Sequence, residues 1–71
     1  MTGRRALEIS LLQASLLHFK AVKARAEVNL DVYLLGSAGV GEHPDIVEEV
    51  NKLVKTITEA EEAIKYLEKK Q

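Results

Sequence analysis

The sequence has 71 residues and a mass of 7.9 kDa, enough for one small domain, which excludes a two-domain enzyme with an interdomain cleft. Hydrophobic residues make up 46% of the chain and charged residues 30%, a balance that favours a folded chain over a disordered one. Ten basic and 11 acidic residues leave a formal net charge of −1, so the overall charge indicates neither a nucleic acid nor an anionic membrane as partner.

Helix-breaking residues form one cluster in the chain, which consists of Gly36, Gly39, Gly41 and Pro44. This cluster predicts a single helical-hairpin domain over 1–71, with a helix over about 4–35, a turn over 36–43 and a second helix over about 44–70. We expect Gly36 to end the first helix in a left-handed conformation. Proline suits the first turn of the second helix because its missing amide hydrogen would be unpaired there in any case.

The first helix carries apolar side chains on two opposite faces. One stripe, spaced alternately by three and four with Lys23 as its one interruption, consists of Ile9, Leu12, Leu16, Phe19, Ala26, Leu30 and Tyr33. The opposite stripe is richer in small residues and consists of Leu7, Ala14, Leu17, Ala21, Ala24, Val28, Val32 and Leu35. Because the second helix can cover only one stripe, we predict that the opposite stripe is an oligomer interface with another copy of the chain.

Residues 28–34 leave an alternative open, since apolar and polar residues alternate there with the period of a strand. We favour helix because the same residues extend both helical stripes. No second strand is evident in the sequence with which a strand at 28–34 would pair.

The second helix has a single apolar face. Seven apolar residues spaced alternately by four and three form it: Ile46, Val50, Leu53, Ile57, Ala60, Ile64 and Leu67. Acidic residues near its start and basic residues near its end match the helix dipole. The sequence therefore predicts an all-α fold, a two-helix antiparallel hairpin that dimerises into a four-helix bundle with the first helix central.

No pattern in the chain predicts catalysis or a bound cofactor. There is no cysteine, and His18 and His43 lack the helical spacing of paired metal ligands. The glycine cluster follows a helix and lacks the Gly-Lys-Ser/Thr ending of a phosphate-binding loop, so we interpret it as a turn. We predict that the protein is not an enzyme and has no catalytic residues, cofactor or metal site.

A basic pair on the first helix suggests an alternative function. Lys20 and Lys23 lie on one side of the helix and would contact RNA phosphates, although Glu27 and Asp31 neutralise nearby surface. A solvated helix face is the interpretation we favour, which makes nucleic acid an unfavoured partner.

The segment Gly39-Val40-Gly41-Glu42-His43-Pro44-Asp45-Ile46-Val47, preceded by Leu30-Asp31-Val32-Tyr33-Leu34, resembles small uncharacterised proteins of T4-like tailed phages. The resemblance extends over the turn and both adjoining helix segments, about two thirds of the chain, and implies an origin but no activity. The expected architecture is also similar to that of the plasmid-copy-control protein Rop, a dimeric helical hairpin that binds RNA. No residue motif carries that similarity, so it transfers no RNA-binding residue.

The sequence thus favours a noncatalytic protein that self-associates as a homodimer and acts as a small interaction or structural module, with an unidentified protein as a possible further partner. The alternative is a Rop-like RNA-binding four-helix bundle. No apolar run reaches the roughly 18 residues of a membrane span, so we predict no membrane partner. We expect a soluble, cytoplasmic protein, located in the host cell if a phage encodes it.

Overall fold

The computed structural model describes residues 2–36 and 45–71, which form two helices. Helix α1 spans Thr2–Leu35 and helix α2 spans Ile46–Lys70. The helices pack side by side in a rod of 60 × 14 × 13 Å. No strand occurs in these described ranges, so the prediction of an all-α helical hairpin is confirmed.

Helix α1 ends at Leu35 as predicted and begins at Thr2, two residues earlier than expected. The strand alternative for residues 28–34 is wrong, because the whole segment is helical. The reason lies in packing: Leu30 and Tyr33 are both half-buried on the side of α1 that faces α2. A strand would have sent every second side chain away from that contact.

Gly36 ends α1 in a different way from the one expected. Neither of the two glycines in the described residues has a positive φ, so the left-handed conformation predicted for Gly36 is wrong. Its amide instead donates to the carbonyl of Val32 over 3.0 Å and continues the helical hydrogen-bond pattern. A Cβ at Gly36 would lie 3.1 Å from that carbonyl oxygen, so glycine serves here by permitting close approach.

Helix α2 begins at Ile46, two residues later than predicted, with Asp45 as its N-cap. The Asp45 carbonyl accepts a hydrogen bond from the Glu49 amide over 3.0 Å, whereas its side chain makes no capping hydrogen bond. The charges at the two ends of α2 match the dipole as predicted: Glu48, Glu49, Lys69 and Lys70. The predicted turn from residue 37, with His43 and Pro44, lies outside the described residues.

The core is a thin seam between the two helices. Its buried side chains are Leu16, Ala26, Ala60 and Leu67, all of which belong to the two stripes predicted to meet. The radius of gyration is 16.8 Å, whereas a compact domain of this length has about 11 Å. The hairpin therefore buries little apolar surface for its length.

Replacing Leu16 by alanine tests this seam. Leu16 is 5% exposed, so we expect Leu16→Ala to lower the free energy of unfolding by about 2–4 kcal/mol through lost burial and a residual cavity. Val47→Ala is the control, because Val47 lies on α2 and is 63% exposed. Urea unfolding followed by circular dichroism at one fixed protein concentration measures both, and equal losses would contradict the assigned seam.

Candidate interaction surface

Helix α1 presents a broad apolar surface that α2 does not cover. We call it the outer face and define it by eight exposed residues: Leu7, Ala14, Leu17, Ala21, Ala24, Val28, Val32 and Leu35. Its large side chains are well exposed, at 57% for Leu17, 61% for Val28 and 64% for Val32. Every residue predicted for the oligomer interface is thus accessible in the single hairpin.

The outer face lies on the side of α1 opposite the seam. Stepping the helix by about 100° per residue places the eight residues within an arc of about 100°, centred roughly 180° from the buried Leu16 and Ala26. The two apolar faces of α1 therefore point in opposite directions. A single α2 helix has no way to contact both.

Lys23, the one interruption of the inner stripe, is part of an ion pair between the helices. Its ammonium lies 3.4 Å from a carboxylate oxygen of Glu61 on α2 and 4.0 Å from one of Glu27 on α1. The Lys23 side chain is 33% exposed, which allows its alkyl stem to lie along the apolar seam. A charge in the inner stripe is accommodated because α2 supplies its counterion.

The structure does not bring Lys20 and Lys23 together as a free basic pair. Lys20 is exposed, whereas Lys23 is turned towards α2 and contacts the carboxylates of Glu27 and Glu61. One of the two cations considered for RNA contact is therefore already paired with carboxylates. Sequence reasoning missed the contact with Glu61, because it depends on how far one helix slides along the other.

A groove of about 350 Å³ runs beside the contact between the helices. Its lining residues are His18, Ala21, Val22, Arg25, Ala26, Asn29, Leu53 and Thr56. His18, Arg25 and Asn29 of α1 therefore line one groove together with Leu53 and Thr56 of α2. The sequence did not predict this groove, since no local signal in α2 indicates which side of the seam Leu53 and Thr56 border.

The chemistry of this groove is limited. His18 packs edge-on against Phe19, with ring centroids 5.0 Å apart and an angle of 78° between the planes. An imidazole, a guanidinium, an amide and a hydroxyl supply hydrogen-bond donors, but His18 and Arg25 are exposed to solvent. Among the described residues, the lining contains no carboxylate or thiol to act with the imidazole in nucleophilic catalysis.

Two other kinds of site are absent from the described parts of the chain. Over residues 2–36 and 45–71, no three His, Asp or Glu side chains converge as ligands for a metal ion. Neither α1 nor α2, as far as the structure describes them, combines the length and apolar character of a membrane-spanning helix.

The chain matches no family model, no curated protein and no solved structure. The resemblance to phage proteins thus rests on the sequence segment alone, and the outer face has to be interpreted from its own geometry.

Replacing Lys23 by methionine tests the ion pair between the helices. Because Lys23 and Glu61 are both partly exposed, their attraction is screened, and an apolar side chain of similar length fits the seam. We expect Lys23→Met to raise the free energy of unfolding by up to about 1 kcal/mol. Lys55→Met, at an exposed position of α2, is the control and should change it by less than about 0.5 kcal/mol.

Urea midpoints of both variants at one protein concentration provide the measurement. A loss of more than 1 kcal/mol specific to Lys23→Met would contradict this account, because the ion pair would then be a net source of stability.

Proposed function

We propose that this protein is a noncatalytic helical module that associates with a second copy of itself and serves as a small interaction or structural element. The observation that carries the proposal is the outer face of α1, an exposed apolar surface opposite the buried seam. Surfaces of this kind, rimmed by polar residues, mark sites of protein–protein contact.

The total accessible surface supports self-association. The hairpin exposes 5752 Å², whereas a compact monomer of 7.9 kDa exposes about 4,400 Å². The excess of about 1,300 Å² is comparable to the roughly 800 Å² per partner that a standard interface removes from solvent. Burying the exposed part of each large outer-face side chain would contribute about 1–2 kcal/mol.

A symmetric homodimer is the smallest closed assembly that covers the outer face. In such a dimer α1 lies in the centre, with α2 on one side and the partner's α1 on the other. Each hairpin contributes two helices, so the dimer has four. Small side chains at Ala14, Ala21 and Ala24 suit this contact because they permit close approach of two helices.

RNA binding receives less support than self-association. A phosphate-binding surface needs accessible cations, and Lys23 is paired with Glu61 across the seam. We therefore treat RNA as an outcome to be tested, and not as the proposed partner.

The resemblance of residues 30–34 and 39–47 to proteins of T4-like tailed phages supports a phage origin and a place in the host cytoplasm as part of the same proposal.

A charge introduced into the outer face tests self-association. We expect Ala21→Glu to convert the protein from a dimer to a monomer, because two symmetry-related carboxylates would be desolvated within the interface. Asn51→Glu adds the same charge on an exposed position of α2 and should leave the dimer intact. Sedimentation velocity at matched concentrations measures the mass, and circular dichroism checks that both variants stay helical.

An unchanged mass for Ala21→Glu with native helicity would contradict self-association through the outer face. Salt-sensitive RNA binding by the unsubstituted chain, lost on substitution of Lys20 and Lys23, would instead favour the Rop-like alternative.

A further inference from the structure

The outer face also contains information about how a second copy would be oriented, an inference that rests on the proposed self-association. Residues of the outer face form two rows along α1. Residues seven apart form the first row, which consists of Leu7, Ala14, Ala21, Val28 and Leu35. Leu17 and Ala24, three residues further on, belong to the second row, whose outer positions are the polar Ser10 and Asp31. The centre of the face thus has the heptad spacing of helices that pack along their length.

The residues that border these rows differ in charge. One border carries Gln13, Lys20 and Glu27, each one position before a first-row residue. The other border, one position after the second row, carries Leu11, His18, Arg25 and Val32. In paired helices, such border positions determine whether the helices run parallel or antiparallel.

A parallel pair is disfavoured by these borders. In a parallel arrangement each border position contacts the opposite border of the partner, five residues further on. Lys20 would then lie beside the partner's Arg25, and symmetry would repeat this like-charged contact. The parallel helix dipoles would add to the repulsion.

In an antiparallel pair, each border lies beside the same border of the partner. One register of such a pair brings opposite charges together along these borders. When Ala21 faces the partner's Ala24, Leu17 faces the partner's Val28, and small or apolar side chains meet over the centre of the contact, whereas Ala14 lies beside the partner's Asp31. In that register Lys20 lies beside the partner's Glu27, an attractive contact that symmetry repeats. On the other border Leu11, which is 62% exposed, meets the partner's Val32.

The two neighbouring antiparallel registers bring identical charges together. A shift of one heptad in one direction places Lys20 beside the partner's Lys20. A shift in the other direction places Glu27 beside the partner's Glu27 and Arg25 beside the partner's Arg25. The first register alone, with His18 beside the partner's Arg25, avoids every contact between identical charges.

We infer that two copies pack α1 against α1 in antiparallel orientation, with Ala21 beside the partner's Ala24 and Lys20 beside the partner's Glu27. The exposed surface of the hairpin, 5752 Å² for a 7.9 kDa chain, contains enough excess for such an interface. The two-fold axis then passes between residues 21 and 24 of each α1, near the middle of the helix.

Disulfide trapping tests this orientation, and the chain has no native cysteine to interfere. Leu17→Cys and Val28→Cys are made as separate proteins, oxidised alone and then as an equal mixture. In the inferred register residues 17 and 28 of opposite copies are neighbours, whereas the two copies of residue 17 lie about 16 Å apart along the axis. We expect a covalent dimer in the mixture and only background in either protein alone, with Asn51→Cys defining the background.

Charge exchange provides the second readout. We expect Lys20→Glu alone to raise the dimer dissociation constant roughly three- to tenfold, and the combined Lys20→Glu and Glu27→Lys protein to recover most of the loss. Sedimentation equilibrium measures these dissociation constants, and the unsubstituted chain is run beside them.

The outcomes separate the orientation from the proposed function. Disulfides in each single variant alone would show a parallel pair and overturn the inference while self-association stands. A dimeric mass without trapping above background would also overturn it, since the dimer would then use another register or surface. A monomeric mass for the unsubstituted chain at every concentration would overturn the proposed function itself.

Discussion

The whole architecture depends on one constraint: α1 has two apolar faces that point in opposite directions, and α2 covers only one of them. Because the faces are opposed, no rotation of α1 within the hairpin buries both. The seam fills with Leu16 and Ala26 from α1, while Leu17 and Val28 remain more than half exposed. What remains uncovered is a surface as long as the helix itself, and a second helix of similar length is the simplest cover.

The ion pair between Lys23 and Glu61 shows how the two sides of α1 differ. On the inner side, a charge within an apolar stripe is matched by a counterion on α2, 3.4 Å away. On the outer side, Lys20 and Glu27 border the apolar rows at positions where, in the proposed dimer, each would meet the opposite charge of the partner. Within one hairpin Glu27 also lies 4.0 Å from Lys23. Polar residues at such positions do more for orientation and register than for stability.

Helical periodicity was sufficient to predict the two helices, the buried residues of the seam and the exposed eight-residue outer face, although Ile9 of the inner stripe is 48% exposed. Each depends on side-chain direction along a single helix, which follows from residue spacing. Sequence reasoning could not predict the contact of Lys23 with Glu61. It also could not predict that Thr56 lines the same groove as His18, Arg25 and Asn29. They depend on the relative sliding of two helices, which many side chains determine together. The left-handed conformation predicted for Gly36 was wrong because the Gly36 amide has a helical acceptor, the carbonyl of Val32.

The solution mass of the unsubstituted chain tests the central claim most directly. Light scattering after size exclusion, over a concentration series from about 1 µM to 1 mM, measures it together with helicity from circular dichroism. The account predicts a helical species at twice the chain mass of 7.9 kDa over the upper part of the series. A fully helical species at 7.9 kDa over the whole series would contradict it, because the outer face of α1 would then be stable in water without a second copy.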